Sequence, residues 1–455
     1  MTSTIEMPLW TLALLLAFAA VTFASHFLFP SVRWFFRRRF ERAVARLNKR
    51  LKRPIEPFKL ARRHDMIQRL IYDPDVTQAI VEYARRNHVR EDVAFQMARR
   101  YAREIVPSFS AVAYFGFGTR LAHWLASTLF IVRTGLNNNA VLEGIDKDAT
   151  IIFIMNHRSN MDYVLVTTLA AQTSALSYAV GEWARVWPLT PVIKSMGAYF
   201  IRRKARGGLY RTVLSRYVQM ATAGGAAQAI FPEGGLTLDG RLQKPKIGLL
   251  SSVVEAYHSK GRDVVFVPVA INYDRVLEDR ILVAAGKRGD RDFSAKMSVV
   301  LRFFAKMIWQ RARGRFQKFG VAAVIFGEPL KLSDYKETPA LKDLAKEIMG
   351  RVENEMPYLF VPILSRVMLR HNQPLDIDTL QKAALESISQ SSAPPPLVSR
   401  DAFRFVVTRA LNSMVHHGMV HKMEDTWQRN EDDLPLLKFY ANSIAHFYVD
   451  AAVAE

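Results

Sequence analysis

The chain has 455 residues, half of them hydrophobic, no cysteine, and 63 Lys and Arg against 42 Asp and Glu, a formal net charge of +21. That length and apolar content supply one large core with smaller flanking regions and exclude a disordered chain. The lack of cysteine excludes disulfides, thiolate metal sites and a cysteinyl intermediate, and fits a reducing compartment.

Residues 1–32 read as an N-terminal transmembrane anchor. Pro8 to Phe29 holds no Asp, Glu, Lys or Arg, and at about 1.5 Å per residue it matches a hydrocarbon layer about 30 Å thick. Arg33, Arg37, Arg38 and Arg39 follow at once, which predicts a single-pass membrane protein with the remainder on the cytoplasmic face. A cleaved signal peptide is the competing reading. No positively charged segment precedes the apolar run, so an uncleaved signal anchor is expected. Residues 33–104 carry 20 Lys and Arg against 9 Asp and Glu, a net +11, and read as a basic helical juxtamembrane region. Each cation near an anionic leaflet contributes about 1 kcal/mol, which makes membrane lipids an expected partner. Nucleic acid is not expected, because no recognisable binding module accompanies the charge. Ile67, Leu70, Ile71, Ile80, Val81 and Tyr83 supply the apolar face of helices in this region. Residues 105–135 read as an apolar, interfacial helical region. Pro107, Gly116, Gly118, Arg120 and His123 would be costly in a lipid-facing span, so a helix pair lying in the interface is expected, with a buried soluble hairpin as the alternative.

From 136 to 335, apolar strands alternate with helices, which predicts a layered α/β domain with a mostly parallel sheet and functional loops beyond the carboxyl ends of its strands. Thr150–Met155 is the first, a continuously apolar buried strand. His157 lies just past it. Ser159 or Asn160 caps a helix beginning near Met161, and the first helical turn brings Asp162 back toward the imidazole. A carboxylate there fixes one ring tautomer and stabilises the imidazolium; a structural hydrogen bond at a helix start is the plainer alternative. The strand Ala198–Ile201 delivers Arg202, Arg203 and Lys204, whose charge and forked geometry suit phosphate oxygens, or form a solvated strand end. The strand Ala227–Phe231 leads to Glu233, Gly234 and Gly235, where the backbone admits close approach of a ligand or makes a turn only. Pro268, within Val264–Ile271, marks a strand edge or bend whose neighbours line an acyl channel or pack the core. A further strand is expected at 321–327. Residues 336–390 read as a helical extension, 391–396 as a Pro/Ser linker, and 397–455 as a C-terminal helical region. His417 and His421 have the four-residue spacing of ligands on one helix face, but no carboxylate pattern accompanies them and Gly418 intervenes, so no metal is expected.

Four of these segments, His157-Arg158-Ser159-Asn160-Met161-Asp162, Gly197 to Arg203, Phe231-Pro232-Glu233-Gly234-Gly235 and Val267 to Asp274, resemble in order the four blocks of the glycerophospholipid acyltransferase family. The match covers roughly residues 140 to 335 and is closest to the glycerol-3-phosphate acyltransferase branch. The resemblance implies transfer of a fatty acyl group from acyl-CoA or acyl carrier protein to a hydroxyl of glycerol 3-phosphate in phospholipid biosynthesis. His157 is then the general base, a role that contributes about 10²- to 10⁴-fold, and Asp162 orients it. It further implies substrate contacts from Arg158, Ser159, Arg202, Arg203, Lys204, Glu233, Gly234, Gly235, Lys246 and Pro268. Acyl-CoA enters as co-substrate, with no resident cofactor. No Gly-x-Ser-x-Gly elbow marks a serine nucleophile. One departure stands out: the branch continues its third block with Arg-Ser-Arg, and this chain with Leu236-Thr237-Leu238-Asp239-Gly240-Arg241. The expected phosphate-binding arginine is missing there. Arg241, Lys244 or Lys246 substitutes from the same loop, or the acceptor differs. A lysophospholipid acyltransferase is the enzymatic alternative, and a non-catalytic membrane adaptor on an inactive acyltransferase fold is the alternative of another class.

Overall fold

A computed structural model describes residues 8–23, 29–49, 51–135, 138–170, 174–181, 189–202, 207–258, 261–289, 305, 307, 309–337, 339–394 and 400–448. The chain divides into two compact units, Met1–Pro54 and Ile55–Glu455. The smaller holds helices Leu9–Phe23 and Phe29–Asn48. The first is uncharged, with Leu9, Trp10, Leu14 and Phe18 exposed. Residues 1–7 and 24–28 of the expected anchor lie outside the described residues, and no helix among the described residues is long and apolar enough to cross a membrane.

The larger unit is built on one sheet. Its strands are β1 (Ile131–Thr134), β2 (Thr150–Met155), β3 (Ser177–Gly181), β4 (Tyr199–Ile201), β5 (Gln228–Ile230), β6 (Val264–Tyr273), β7 (Val321–Phe326) and β8 (Leu330–Lys331). They run in the order β1-β7-β6-β2-β5-β3-β4, with β8 also on β6. Neighbours are parallel except for β6 with β7 and with β8.

The apolar run of β2 follows from burial on both faces. Ile151, Phe153 and Met155 point into one core with residues of the C-terminal helices, such as Val361, Leu364 and Leu437. Ile152 and Ile154 point into the other, with Leu70, Ile80, Ala98 and Ile105. Residues 55–104, read above as part of a juxtamembrane region, therefore belong to the larger unit and cover one face of its sheet. Basic residues such as Arg69, Arg85, Arg86, Arg90, Arg100 and Arg103 lie on the outer side of amphipathic helices whose inner stripe is spent on the core, while Lys59 is buried and donates to Ala175 O.

Pro268 occupies the interior of a central strand, where a missing donor is normally excluded. Its carbonyl accepts from Gly327 N at 2.8 Å, so its nitrogen faces the same side. There β6 changes partner, pairing with β8 at Val265 and Phe266 and with β7 from Val269 onward. The absent N–H falls at that break.

The expected helical region 105–135 is helical only in part. Helix Thr119–Leu129 packs on helix Met161–Ala170 through an inner side that includes Ala122, Ala126 and Leu129, leaving Val112, Phe117 and Trp124 exposed. The β-branched pair Ile131-Val132 then enters the sheet as β1, beside β7. The C-terminal region also departs from the expectation of helix throughout. After helix Arg400–His416 the chain turns at Gly418, with φ of 81°, into a hairpin of β10 (Val420–Met423) and β11 (Thr426–Arg429), which pairs with β9 (Leu375–Asp376). His417 and His421 thus share no helix face, and no metal-binding cluster occurs among the described residues. In the expected linker, Ser392 N donates to Phe447 O at 2.8 Å and Ala393 is buried; residues 395 and 396 lie outside the described residues.

Candidate active site

The strand β2 ends at Met155, and the side chains that follow are positioned by its turn into helix Met161–Ala170. Ser159 Oγ accepts from Met161 N at 3.1 Å, capping the helix as expected. Asp162, in the first turn, reaches back 2.9 Å to His157 Nδ1. The same carboxylate oxygen accepts Arg158 N at 2.8 Å and Ser159 N at 3.0 Å, and the other oxygen accepts Tyr273 OH at 2.5 Å. Asp162 is fully buried, and these four donors replace the water an isolated carboxylate would require. With Nδ1 donating, Nε2 of His157 keeps its lone pair.

Three groups hold this turn from outside. Glu233, just past β5, accepts His157 N at 3.1 Å and Gln243 N at 3.3 Å. Burial pushes its carboxyl up to about 8, against the pull of those two amides and of Arg158. Thr237 N donates to His157 O at 3.1 Å. Glu278, beyond β6, accepts Ser159 Oγ at 2.8 Å, Asn160 Nδ2 at 3.0 Å and Asn160 N at 3.2 Å. Its separation of more than 100 residues from that turn leaves no local signal by which the sequence could announce it.

His157 lines a cavity of about 630 Å³, within the range of small-molecule sites. Its ring packs on Phe231 with centroids 4.1 Å apart. Apolar walls come from Val180, Ile201, Leu214 and Ile230, and the cations Arg202, Arg211 and Lys246 reach it. Arg202 is already engaged: its Nε and Nη2 donate to the two oxygens of Glu104 at 2.8 and 2.6 Å. That bidentate pair, with the rings of Tyr101 and Tyr210 beneath the guanidinium, raises its pKa further. Arg203 and Lys204 lie outside the described residues. Lys246 crosses Gly234, whose φ of 68° and lack of a Cβ leave the space for it; a Cβ there would stand 2.8 Å from Lys246 Cδ.

The remaining predicted contacts lie elsewhere. Arg158 turns away from the cavity, donating to Gly240 O at 2.8 Å over the Phe439 ring. Ser159 is buried in its turn, Gly235 is buried beyond Gly234, and Pro268 is inside β6. In the departing loop, Leu236 and Leu238 pack on the core, and Gly240 meets Phe439 O so closely that no Cβ fits. This loop is used for packing where the related branch carries arginines.

Arg211 was not singled out from sequence. A signal existed: it lies in the opening turn of helix Gly208–Ala223, where the helix dipole disfavours a cation unless an anion is nearby.

The family model described as acyltransferase matches residues 138–272, and that described as glycerol-3-phosphate acyltransferase C-terminal region matches residues 305–455. A protein named glycerol-3-phosphate acyltransferase from Aeromonas hydrophila is 29% identical over 342 residues, covering 72% of this chain and 40% of that protein. One of the same name from Pseudomonas fluorescens is 30% identical over 286 residues, covering 61% and 33%. The chain thus spans between a third and two-fifths of the length of these relatives. A crystal structure of a 1-acyl-sn-glycerophosphate acyltransferase from Thermotoga maritima shares 17% identity at a TM-score of 0.34, covering 62% of this chain and 96% of that one, a likeness too loose to bear on the fold. The ordered blocks and the two matching family models bear out the resemblance to the glycerophospholipid acyltransferases and, among them, to the glycerol-3-phosphate acyltransferases.

Proposed function

We propose that the chain transfers an acyl group from a thioester donor, acyl-CoA or acyl carrier protein, to a hydroxyl of a phosphorylated glycerol acceptor. The observation that carries this reading is His157, held through Nδ1 by a buried carboxylate while lining a cavity that cations reach. Nε2 takes the proton of the acceptor hydroxyl as its oxygen attacks the thioester carbonyl carbon. The tetrahedral intermediate collapses by breaking the carbon–sulfur bond, and the imidazolium returns its proton to the departing thiolate. The products are an ester and a free thiol, with no covalent enzyme intermediate. Asp162 stabilises the imidazolium and fixes the tautomer. Arg211 and Lys246 take the acceptor phosphate, standing in for the arginines absent after Gly235. The reaction serves phospholipid synthesis at a membrane surface, with the apolar stretch Pro8–Phe29 and the basic segment behind it as the contact and the catalytic unit on the cytoplasmic face.

The test is acyl transfer by the purified chain from radiolabelled acyl-CoA, and separately from acyl-acyl carrier protein, to glycerol 3-phosphate, dihydroxyacetone phosphate and lysophosphatidate. Turnover on glycerol 3-phosphate that disappears in His157→Ala is expected. Arg211→Ala is expected to raise KM for the acceptor about tenfold. Turnover confined to lysophosphatidate identifies a lysophospholipid acyltransferase instead, and full activity in His157→Ala overturns the assignment of the base.

A further inference from the structure

A second cavity, of about 360 Å³, opens between the end of β6, the start of β7 and helix Arg400–His416, and it shares no lining residue with the one at His157. Arg275, Lys318 and Arg409 converge on it from three separate segments. On a chain with an excess of 21 positive charges, exposed cations need no special explanation; here the setting is built. The Arg275 guanidinium is half-buried and lies 4.4 Å over the Phe319 ring. Gly320, with φ of 89°, lets the backbone lie against Asp274, where any Cβ would stand 2.6 Å from that residue's own. This closeness allows Asp274 to accept Val321 N at 2.8 Å, and its other oxygen accepts Val361 N at 3.3 Å. The acid at the floor is thus committed to two backbone amides, and the lining sets three cations beside one carboxylate, with the acidic charge of Asp279 acting on Arg275 from outside the lining. None of the three cations makes an ion pair or hydrogen bond from its side chain among the described residues.

We propose that this cavity is a second binding site, for a ligand bearing a phosphate group. Two arginine forks and an ammonium match the oxygens of a phosphate better than a single carboxylate, and the volume admits the group with a small attached moiety. The site lies on a segment that also holds the catalytic turn: Tyr273 bonds Asp162 and Glu278 bonds Ser159, on either side of Arg275. An occupant there bears directly on that turn.

The experiment is titration calorimetry of the full chain with inorganic phosphate at constant ionic strength, in an Arg211→Gln background that weakens phosphate binding at the other cavity. Saturable binding is expected, weakened about tenfold or more by Lys318→Gln with Arg409→Gln and largely kept by Arg409→Lys. Thermal melts confirm that each variant is folded. Binding unchanged by the paired substitution, or no saturable binding in the Arg211→Gln protein, overturns the proposal. Flotation with phosphatidylcholine vesicles, with and without phosphatidic acid, separates the sources. A phosphatidic-acid-dependent gain lost in the paired variant identifies a lipid headgroup, and a gain that persists while phosphate binding is lost identifies a soluble phosphate ligand. Because calorimetry reads binding alone, its outcome is independent of whether the chain turns over an acyl donor.

Discussion

Among the described residues of the larger unit two histidine–aspartate pairs are buried, and what surrounds each separates a pair that faces a cavity from a clasp. His157 and Asp162 are 2.9 Å apart, His417 and Asp279 2.6 Å. The first pair arises within one strand–helix turn; the second joins residues 138 positions apart. Asp162 is filled by amides of its own turn and by Tyr273, leaving His157 with a ring nitrogen for the cavity it lines. Asp279 also accepts Tyr440 OH at 2.5 Å, and Arg280 joins His417 O to Asp433. His417 lines neither cavity described above. Its pair fastens the C-terminal region to the segment after β6. A carboxylate at hydrogen-bonding distance is common to both; access of the far ring nitrogen to a substrate-sized space distinguishes them.

The sharpest way to break this contrast is to remove each histidine. His157→Ala is expected to lower kcat/KM about 10³- to 10⁴-fold, whereas His417→Ala leaves it within about twofold at temperatures where the protein stays folded; equal losses in the acyl-transfer assay would erase the distinction. Asp162→Asn is expected to cost about a thousandfold in kcat, because the amide no longer enforces the tautomer, with little change in KM. At the clasp the readout is stability. Asp279→Ala strips partners from a buried imidazole and a buried phenol, and denaturant unfolding should show a loss of about 2–4 kcal/mol.

Smaller effects refine the comparison. Tyr273→Phe removes one of four donors to Asp162 and is expected to reduce kcat about tenfold without moving KM. The weakest is a pH effect at Glu233, whose folded carboxyl is raised from 4.5 to about 8 by burial. Between those values the folded state holds a proton the unfolded state has released. The contribution to stability is therefore full below about pH 4.5 and fades as pH rises through about 8. Melting temperatures of Glu233→Gln across that interval should fall less steeply with pH than those of the unaltered chain. Parallel slopes would show that Glu233 is ionised throughout.

Local patterns carried much of this molecule. β2 runs from Thr150 to Met155 as the apolar run predicts, and the helix from Met161 begins where Ser159 caps it. The dyad forms because strand end, cap and first helical turn involve neighbouring residues. These outcomes rest on periodicity and capping, which act over a few residues and are written in the chain. Partner choice is not. The place of Arg202 at a strand end suits a phosphate ligand, yet its fork meets Glu104, 98 residues away, on a helix whose apolar stripe brought it to the sheet. Arg211 enters the cavity because helix Gly208–Ala223 lies beside β4 and β5, and Tyr273 and Glu278 reach the turn after β2 because β6 pairs with β2. The amino-acid order specified the His157–Asp162 pair and the family resemblance. Packing across both faces of the sheet decided which charges remain for a ligand, since burial favours a carboxylate or guanidinium that takes a partner from the neighbouring element.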